Sequence, residues 1–391
     1  METLIISGII LAFLFNFLTG MNDAANSIAT VVATSALPPR RAILLAALAN
    51  FAGPFLFSTA VAGTFATGIV RGENLTLPLF MAGLTAAVSL VLIATLTGFP
   101  ISSSNALSGG LIGAAIAEGG AAALLLPDSQ LLVRCAAITL VGSICGGTTG
   151  AILSRSTRLP LALGIASGSL FGLSLSITSA MVLGILHISG ILAILLFIFI
   201  APTIGFAFAF LFDVLISHLF RRSRIKTRRR VFQPLHLLAA AIQGAGHGAH
   251  DGQHAMGIIV GLLLASGSLE SFSVPTWVLV ASAIAMGTGT CFGGWRVIER
   301  LARKITQIRP YQGFSAAASG GVLLSAMTMM GIPVSSTHVI SGTIVGVGVT
   351  RGREAVQWSS VRSILAAWLI TIPASLALSW SLAGVFHLLA G

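Results

Sequence analysis

Charge is what this 391-residue chain has least of: Asp, Glu, Lys and Arg together make up 8% of it, against roughly 25% in a soluble domain. Hydrophobic residues make up 55% and the mean hydropathy is +0.99. Those values exclude a soluble globular domain and indicate an all-α polytopic membrane protein with the lipid bilayer as its surroundings. Cysteine is scarce as well. Cys135, Cys145 and Cys291 are odd in number and lie in apolar segments, so they are expected in the core and not in a disulfide framework. No basic stretch precedes the first apolar segment, which runs on into Asp23, so it is not expected to be a cleaved signal peptide. No H-E-x-x-H occurs, which argues against an intramembrane zinc hydrolase.

The little charge there is has a pattern. Of 21 basic residues, seven lie between Arg221 and Arg230, between two long apolar runs, and the net charge is +11. A nucleic-acid partner would need a basic surface. A basic block between apolar segments is instead expected to be a cytoplasmic loop. About twelve apolar segments follow from the hydropathy, near 3–34, 41–66, 77–98, 104–120, 131–153, 160–185, 188–216, 235–266, 274–295, 311–330, 333–350 and 362–388. Segments 104–120 and 333–350 are short and rich in Gly, Ser and Thr, as in re-entrant hairpins. Segment 3–34 would be ~48 Å long as one helix, beyond a ~30 Å hydrocarbon core. Breaks are therefore expected at Gly20 to Asp23, and likewise at Gly244 to Gly252.

Two aspartates inside such segments have matching surroundings: Gly20-Met21-Asn22-Asp23-Ala24-Ala25-Asn26 and Gly248-Ala249-His250-Asp251-Gly252-Gln253-His254. A carboxylate at membrane depth costs about 2.5–3.5 kcal/mol on insertion scales, so it marks an ion or solute path. A second motif is duplicated in the same order. Gly98-Phe99-Pro100-Ile101-Ser102-Ser103-Ser104-Asn105 matches Gly331-Ile332-Pro333-Val334-Ser335-Ser336-Thr337-His338. Asp251 follows Asp23 by 228 positions and Gly331 follows Gly98 by 233, which indicates a duplication: 1–155, a linking region 156–230, and 231–391. With 221–230 inside, Arg296, Arg300, Arg303, Lys304 and Arg309 also fall inside. Arg40 and Arg41 then make the Asp23 segment start outside, and the Asp251 segment starts inside. Equivalent segments run in opposite directions, the inverted-repeat plan of secondary transporters, with both termini outside.

Gly-x-Pro followed by hydroxyl residues ends one helix and starts another, leaving free N–H groups beside Ser and Thr donors. Ser102, Ser103 and Ser104, with Ser335, Ser336 and Thr337, entering from opposite faces, would cage a tetrahedral oxyanion. The plainer reading, hydroxyls bonded back to their own helices, weakens when the motif occurs twice. Two carboxylates repel an anion, so Asp23 and Asp251, with Asn22, Asn26 and His250, suit a coupling cation or a proton. A rival reading takes His247, His250, Asp251 and His254, at i, i+3, i+4 and i+7, as a transition-metal site. The matching residues of the first copy, Thr19, Asn22, Asp23 and Asn26, are not metal-like.

Both motif pairs resemble those of the inorganic phosphate transporter (PiT) family. So do Gly293-Gly294-Trp295-Arg296-Val297-Ile298, Lys304-Ile305-Thr306, Gly313-Phe314 and Ala366-Ala367-Trp368-Leu369-Ile370-Thr371-Ile372-Pro373. The resemblance spans both halves and is densest from 235 onward. It implies a cell (inner) membrane carrier, not an enzyme, that takes up inorganic phosphate by symport with H+ or Na+, without a cofactor, as a homodimer. Carried onto this chain, it makes Asn22 and the six hydroxyl residues phosphate-binding, and Asp23, Asn26, His250 and Asp251 cation-coupling. His247 and His254 remain metal candidates, and sulfate or a divalent metal the alternative cargo. Departures are His250 where the family usually has Asn, Asn50 where sodium-coupled members tend to have Glu, and the lack of a Glu following Gly313-Phe314-Ser315-Ala316, where one is often found. These departures resemble proton-coupled members.

Overall fold

The structure, a computed structural model, describes residues 2–157, 161–188, 190–303 and 305–390. Lys304, counted above in a basic loop, and the Pro160 start of one segment lie outside the described residues. Those residues form fourteen α-helices and no strands beyond two isolated bridges. In order they are α1 (Glu2–Ala33), α2 (Pro39–Leu56), α3 (Ala60–Thr67), α4 (Leu77–Thr97), α5 (Ser103–Gly119), α6 (Ser129–Thr157) and α7 (Leu161–Val182). They continue with α8 (Gly190–Leu219), α9 (Ile225–Ala265), α10 (Thr276–Phe292), α11 (Trp295–Arg303), α12 (Pro310–Met329), α13 (Ser336–Val349) and α14 (Trp358–Ala390). Seven of these are long and apolar enough to cross a membrane, or nine if each of two bent pairs counts as one span. The series α1 to α6, a long helix, a bent pair, a hairpin and a long helix, recurs as α9 to α14.

Helix breaks fall elsewhere than the sequence suggests. Neither Gly20 to Asp23 nor Gly244 to Gly252 is broken: α1 and α9 run through them. Their glycines serve close packing. A Cβ on Gly20 would lie 2.3 Å from Met286 O, and one on Gly248 2.2 Å from Asn50 O. An unbroken helix also keeps its backbone groups paired, which lipid demands. The sharp bends are between α2 and α3 (81°), inside the single expected segment 41–66, and between α10 and α11 (72°), at the end of segment 274–295, where a basic loop was expected and a short helix follows. The basic stretch 221–230 is likewise not all loop, because α9 begins at Ile225.

Helix direction sets the site. α1 and α9 lie antiparallel. Gln233 Nε2 donates to Ala36 O (3.2 Å), His236 Nε2 lies 3.0 Å from Thr30 Oγ1, and Gln243 Nε2 donates to Asn26 O (2.6 Å). α4 runs parallel to α1, with Met81 beside Gly8 and Thr95 beside Asn22. α12 runs parallel to α9, with Gly313 beside His236 and Thr328 beside His250. The α4–α5 and α12–α13 hairpins therefore enter from opposite ends. Each turns at a glycine in the left-handed region, Gly98 (φ 75°) and Gly331 (φ 68°), where a side chain is strained. Segments 104–120 and 333–350 are the returning arms of these hairpins, α5 and α13.

Each returning arm rests on a proline-containing helix, α5 on α14 and α13 on α8. A Cβ on Gly342 would lie 2.3 Å from Pro202 O, so Gly342→Ala is expected to cost about 1–3 kcal/mol through overpacking. The check is the thermal midpoint in detergent, with Gly384→Ala as control because its Cβ would meet nothing within 4 Å. An unchanged midpoint for Gly342→Ala would remove the contact from the account.

Candidate functional site

The hairpin tips meet at Asp23. Ser103 Oγ, from the first tip, donates to Asp23 Oδ2 (3.0 Å), and Thr337 Oγ1, from the second, lies within donating distance of Asp23 Oδ1 (3.2 Å) and of Ile101 O on the first tip (3.4 Å). Asn26 Nδ2 reaches both Asp23 Oδ1 (3.1 Å) and Thr337 Oγ1 (3.0 Å). Asp251 takes Ser336 Oγ at 2.7 Å and lies 3.0 Å from His247 Nε2. Both carboxylates are 1% exposed. Oxygens of Asp23 and Asp251 and a nitrogen of His247 lie within 4.8 Å of one another, so the two duplicated carboxylates come together in one place. Two carboxylates this close, out of water, repel strongly unless a cation or proton joins them.

The remaining predicted residues divide by position. Ser102 Oγ accepts Asn105 N (3.1 Å) and lies 3.0 Å from Ser104 Oγ, and Ser335 Oγ accepts His338 N (3.3 Å). These hydroxyls hold the helix starts, as N-cap residues do. Asn22 Nδ2 donates to Thr95 Oγ1 (3.0 Å). His250 is hydrogen-bonded not to Asp251 but to Thr328 Oγ1 (3.0 Å) and Val334 O (2.7 Å), and so braces the second tip, with a ring nitrogen within 4.8 Å of an Asp251 oxygen. His254 has its ring edge-on to Phe65 at 4.6 Å and no hydrogen-bond partner at either nitrogen among the described residues. His250, Asp251 and His254 form a second group that meets the spacing of a metal site.

Two residues present in the motifs above but given no role there also support the site. Asn50 Oδ1 lies 3.0 Å from His247 Nδ1, and its amide donates to Thr290 Oγ1 (2.9 Å). Gln253 closes the α2–α3 bend, accepting from Ala62 N (3.1 Å) and donating to Ser58 O (2.7 Å). The signal was present as polar residues at helical spacing in apolar segments: Asn16, Thr19, Asn22, Asp23 and Asn26 on α1, and Gln243, His247, His250, Asp251 and His254 on α9. Two further acids fix the hairpin bases. Thr76 Oγ1, the N-cap of α4, lies 2.8 and 3.0 Å from the Glu118 carboxylate oxygens, and His387 of α14 lies 3.1 Å from Glu118. Thr350 Oγ1 donates to Asp213 Oδ2 of α8 (2.7 Å). In each case a threonine–carboxylate bond lies at the end of the hairpin remote from the tip.

Comparison with known proteins accords with this geometry. The profile of the phosphate transporter family matches residues 19–163 and 164–379. A probable low-affinity inorganic phosphate transporter of Rhizobium meliloti is 35% identical over 377 residues, covering 96% of this chain and 94% of its own. One of Bacillus subtilis is 33% identical over 370 residues, covering 94% and 92%. A solved structure described as the sodium-dependent phosphate transporter superposes with a TM-score of 0.70 over 99% of both chains at 22% identity, which shows a shared fold. With a family profile over most of its length, relatives above 30% identity and a site built by two opposed hairpins inside a helical membrane fold, this chain belongs to the phosphate transporter family and is a transporter, not an enzyme.

Proposed function

We propose that the chain takes up inorganic phosphate by symport with a cation, H+ or Na+, through alternating access between two inverted repeats, 1–155 and 231–391, joined by 156–230. The observation that carries this reading is the pair of opposed hairpin tips whose hydroxyls are engaged by two buried carboxylates. While Asp23 and Asp251 are bare, they hold Ser103, Ser336 and Thr337 and repel an anion. A cation on the carboxylates, aided by Asn26 and His250, offsets that repulsion and frees the hydroxyls to turn to phosphate. Asn22, Ser104 and the helix starts capped by Ser102 and Ser335 complete the anion side. Loading of both ions then lets one hairpin withdraw while the other stays closed. The chain functions in the cell membrane with 221–230 cytoplasmic and both termini outside, as a homodimer.

A divalent-metal or metal–phosphate cargo is the second reading. It rests on His254, whose ring nitrogens are unpartnered beside Asp251, and on His247. One experiment separates the readings: radiolabelled phosphate uptake into proteoliposomes under a proton gradient and a sodium gradient imposed separately, with sulfate as competitor, and with and without a divalent metal. Uptake driven by one of the two gradients, uninhibited by sulfate and indifferent to metal, is the expected result. Uptake that neither gradient drives would overturn symport.

A further inference from the structure

One large feature of the fold has no part in the site. α6 and α7 pack backbone to backbone: a Cβ on Gly146 would lie 2.1 Å from Gly168 O, and one on Gly150 2.0 Å from Gly164 O. At one end this pair joins the core, where Cys135, Ile177 and Ala180 share a cluster with Phe197 and Ile200 of α8. Toward the other end it separates from α8, α13 and α14, leaving a gap of about 1220 Å³. Its walls are mostly apolar and glycine-rich, with Phe206, Val345, Leu365 and Leu369 among them. An apolar gap this large offers water few polar partners, and left empty it forfeits dispersion contacts along its whole lining. In a bilayer the filler at hand is an acyl chain.

The charge at its mouth selects the kind of lipid. The gap reaches the end of the helices where Ile305, Trp358 and Val361 line it. There the Arg353 guanidinium lies 5.9 Å over the Trp358 ring, Trp358 Nε1 donates to Arg353 O (2.9 Å), and Arg353 and Arg362 are both exposed. Glu354 is the acid beside them. Basic pockets between membrane helices suit anionic headgroups. We propose that this gap binds an anionic phospholipid, with its acyl chains against α7, α8 and α13 and its phosphate at Arg353 and Arg362. The lipid would share a wall with the transport site. Trp368 lines the gap and packs, tilted, against His338 with ring centroids 3.9 Å apart, one residue beyond Thr337. Chains in the gap therefore limit how far α13 moves when the second tip opens.

Native mass spectrometry of the purified protein, after incubation with vesicles of phosphatidylcholine alone or mixed with phosphatidylglycerol, tests the site. Wild type is expected to retain phosphatidylglycerol in preference. Arg353→Ala and Arg362→Ala should each weaken retention about fivefold, the effect of one basic residue near an anionic surface. Leu365→Trp, which fills the gap, should abolish it, with Leu365→Ala as a fold control that still retains lipid. In proteoliposomes, wild-type phosphate uptake should depend on phosphatidylglycerol, and Leu365→Trp uptake should not. No retained phospholipid, retention indifferent to all three of Arg353→Ala, Arg362→Ala and Leu365→Trp, or cross-linking of two copies through Leu369→Cys without lipid would overturn the proposal.

Discussion

Asp23→Asn and Asp251→Asn are each expected to lower phosphate uptake by at least about a hundredfold while the protein remains folded in the membrane. The exchange is isosteric and removes a charge from a buried site, so insertion does not suffer. What it removes is the anchor for a cation and the acceptor of charged hydrogen bonds worth about 1.5–3 kcal/mol each. Asp23 has three donors within reach, Ser103, Asn26 and Thr337, and Asp251 has Ser336 and His247. Two such bonds correspond to about 10² to 10⁴ in an equilibrium constant. Uptake at fixed phosphate, normalised to membrane-inserted protein, is the measurement. Normal uptake by both variants would sink the coupling role.

The second large effect is expected from the hydroxyls. Ser103→Ala, Ser336→Ala and Thr337→Val should each raise the KM for phosphate about 10- to 150-fold, the value of one hydrogen bond to a charged group. Thr337→Val should be the most severe. Its hydroxyl lies within 3.4 Å of acceptors on both α1 and the first hairpin tip, so its loss also loosens the closure between tips. Ser104→Ala is the comparison, since Ser104 Oγ lies beside Ser102 Oγ and not beside a carboxylate. Initial-rate uptake across phosphate concentrations decides it. Equal effects at Ser103 and Ser104 would mean that the helix start, and not the individual hydroxyl, holds the anion.

Much of this site was legible before any fold was known because the chain states it twice. Duplication made Asp23 and Asp251, and the two Gly-x-Pro-hydroxyl turns, stand out from a background of small and apolar residues. The hairpin turns at Gly98 and Gly331 were readable because glycine and proline act locally, through φ and a missing N–H. The same residue type misled at Gly20 and Gly248. There glycine provides close approach to another helix, to Met286 O and to Asn50 O, and nothing in the neighbouring residues distinguishes contact from bend. The α2–α3 bend escaped notice because its partner is distant. Gln253 satisfies the break from nearly 200 positions away.

Class, duplication, hairpin turns and the paired carboxylates follow from the chain alone, since lipid leaves so little freedom to a charged or helix-breaking residue that its position announces a role. Tertiary structure decided which hydroxyls reach a carboxylate. Ser102 and Ser103 are adjacent and chemically identical, yet one caps its helix and the other reaches Asp23, because successive residues at a helix start point in different directions. It also decided that the two carboxylates share one site. Only the antiparallel crossing of α1 and α9 brings residues 228 positions apart within 4.8 Å, and the proposed coupling of a cation to an anion rests on that proximity, because two carboxylates so close repel an anion.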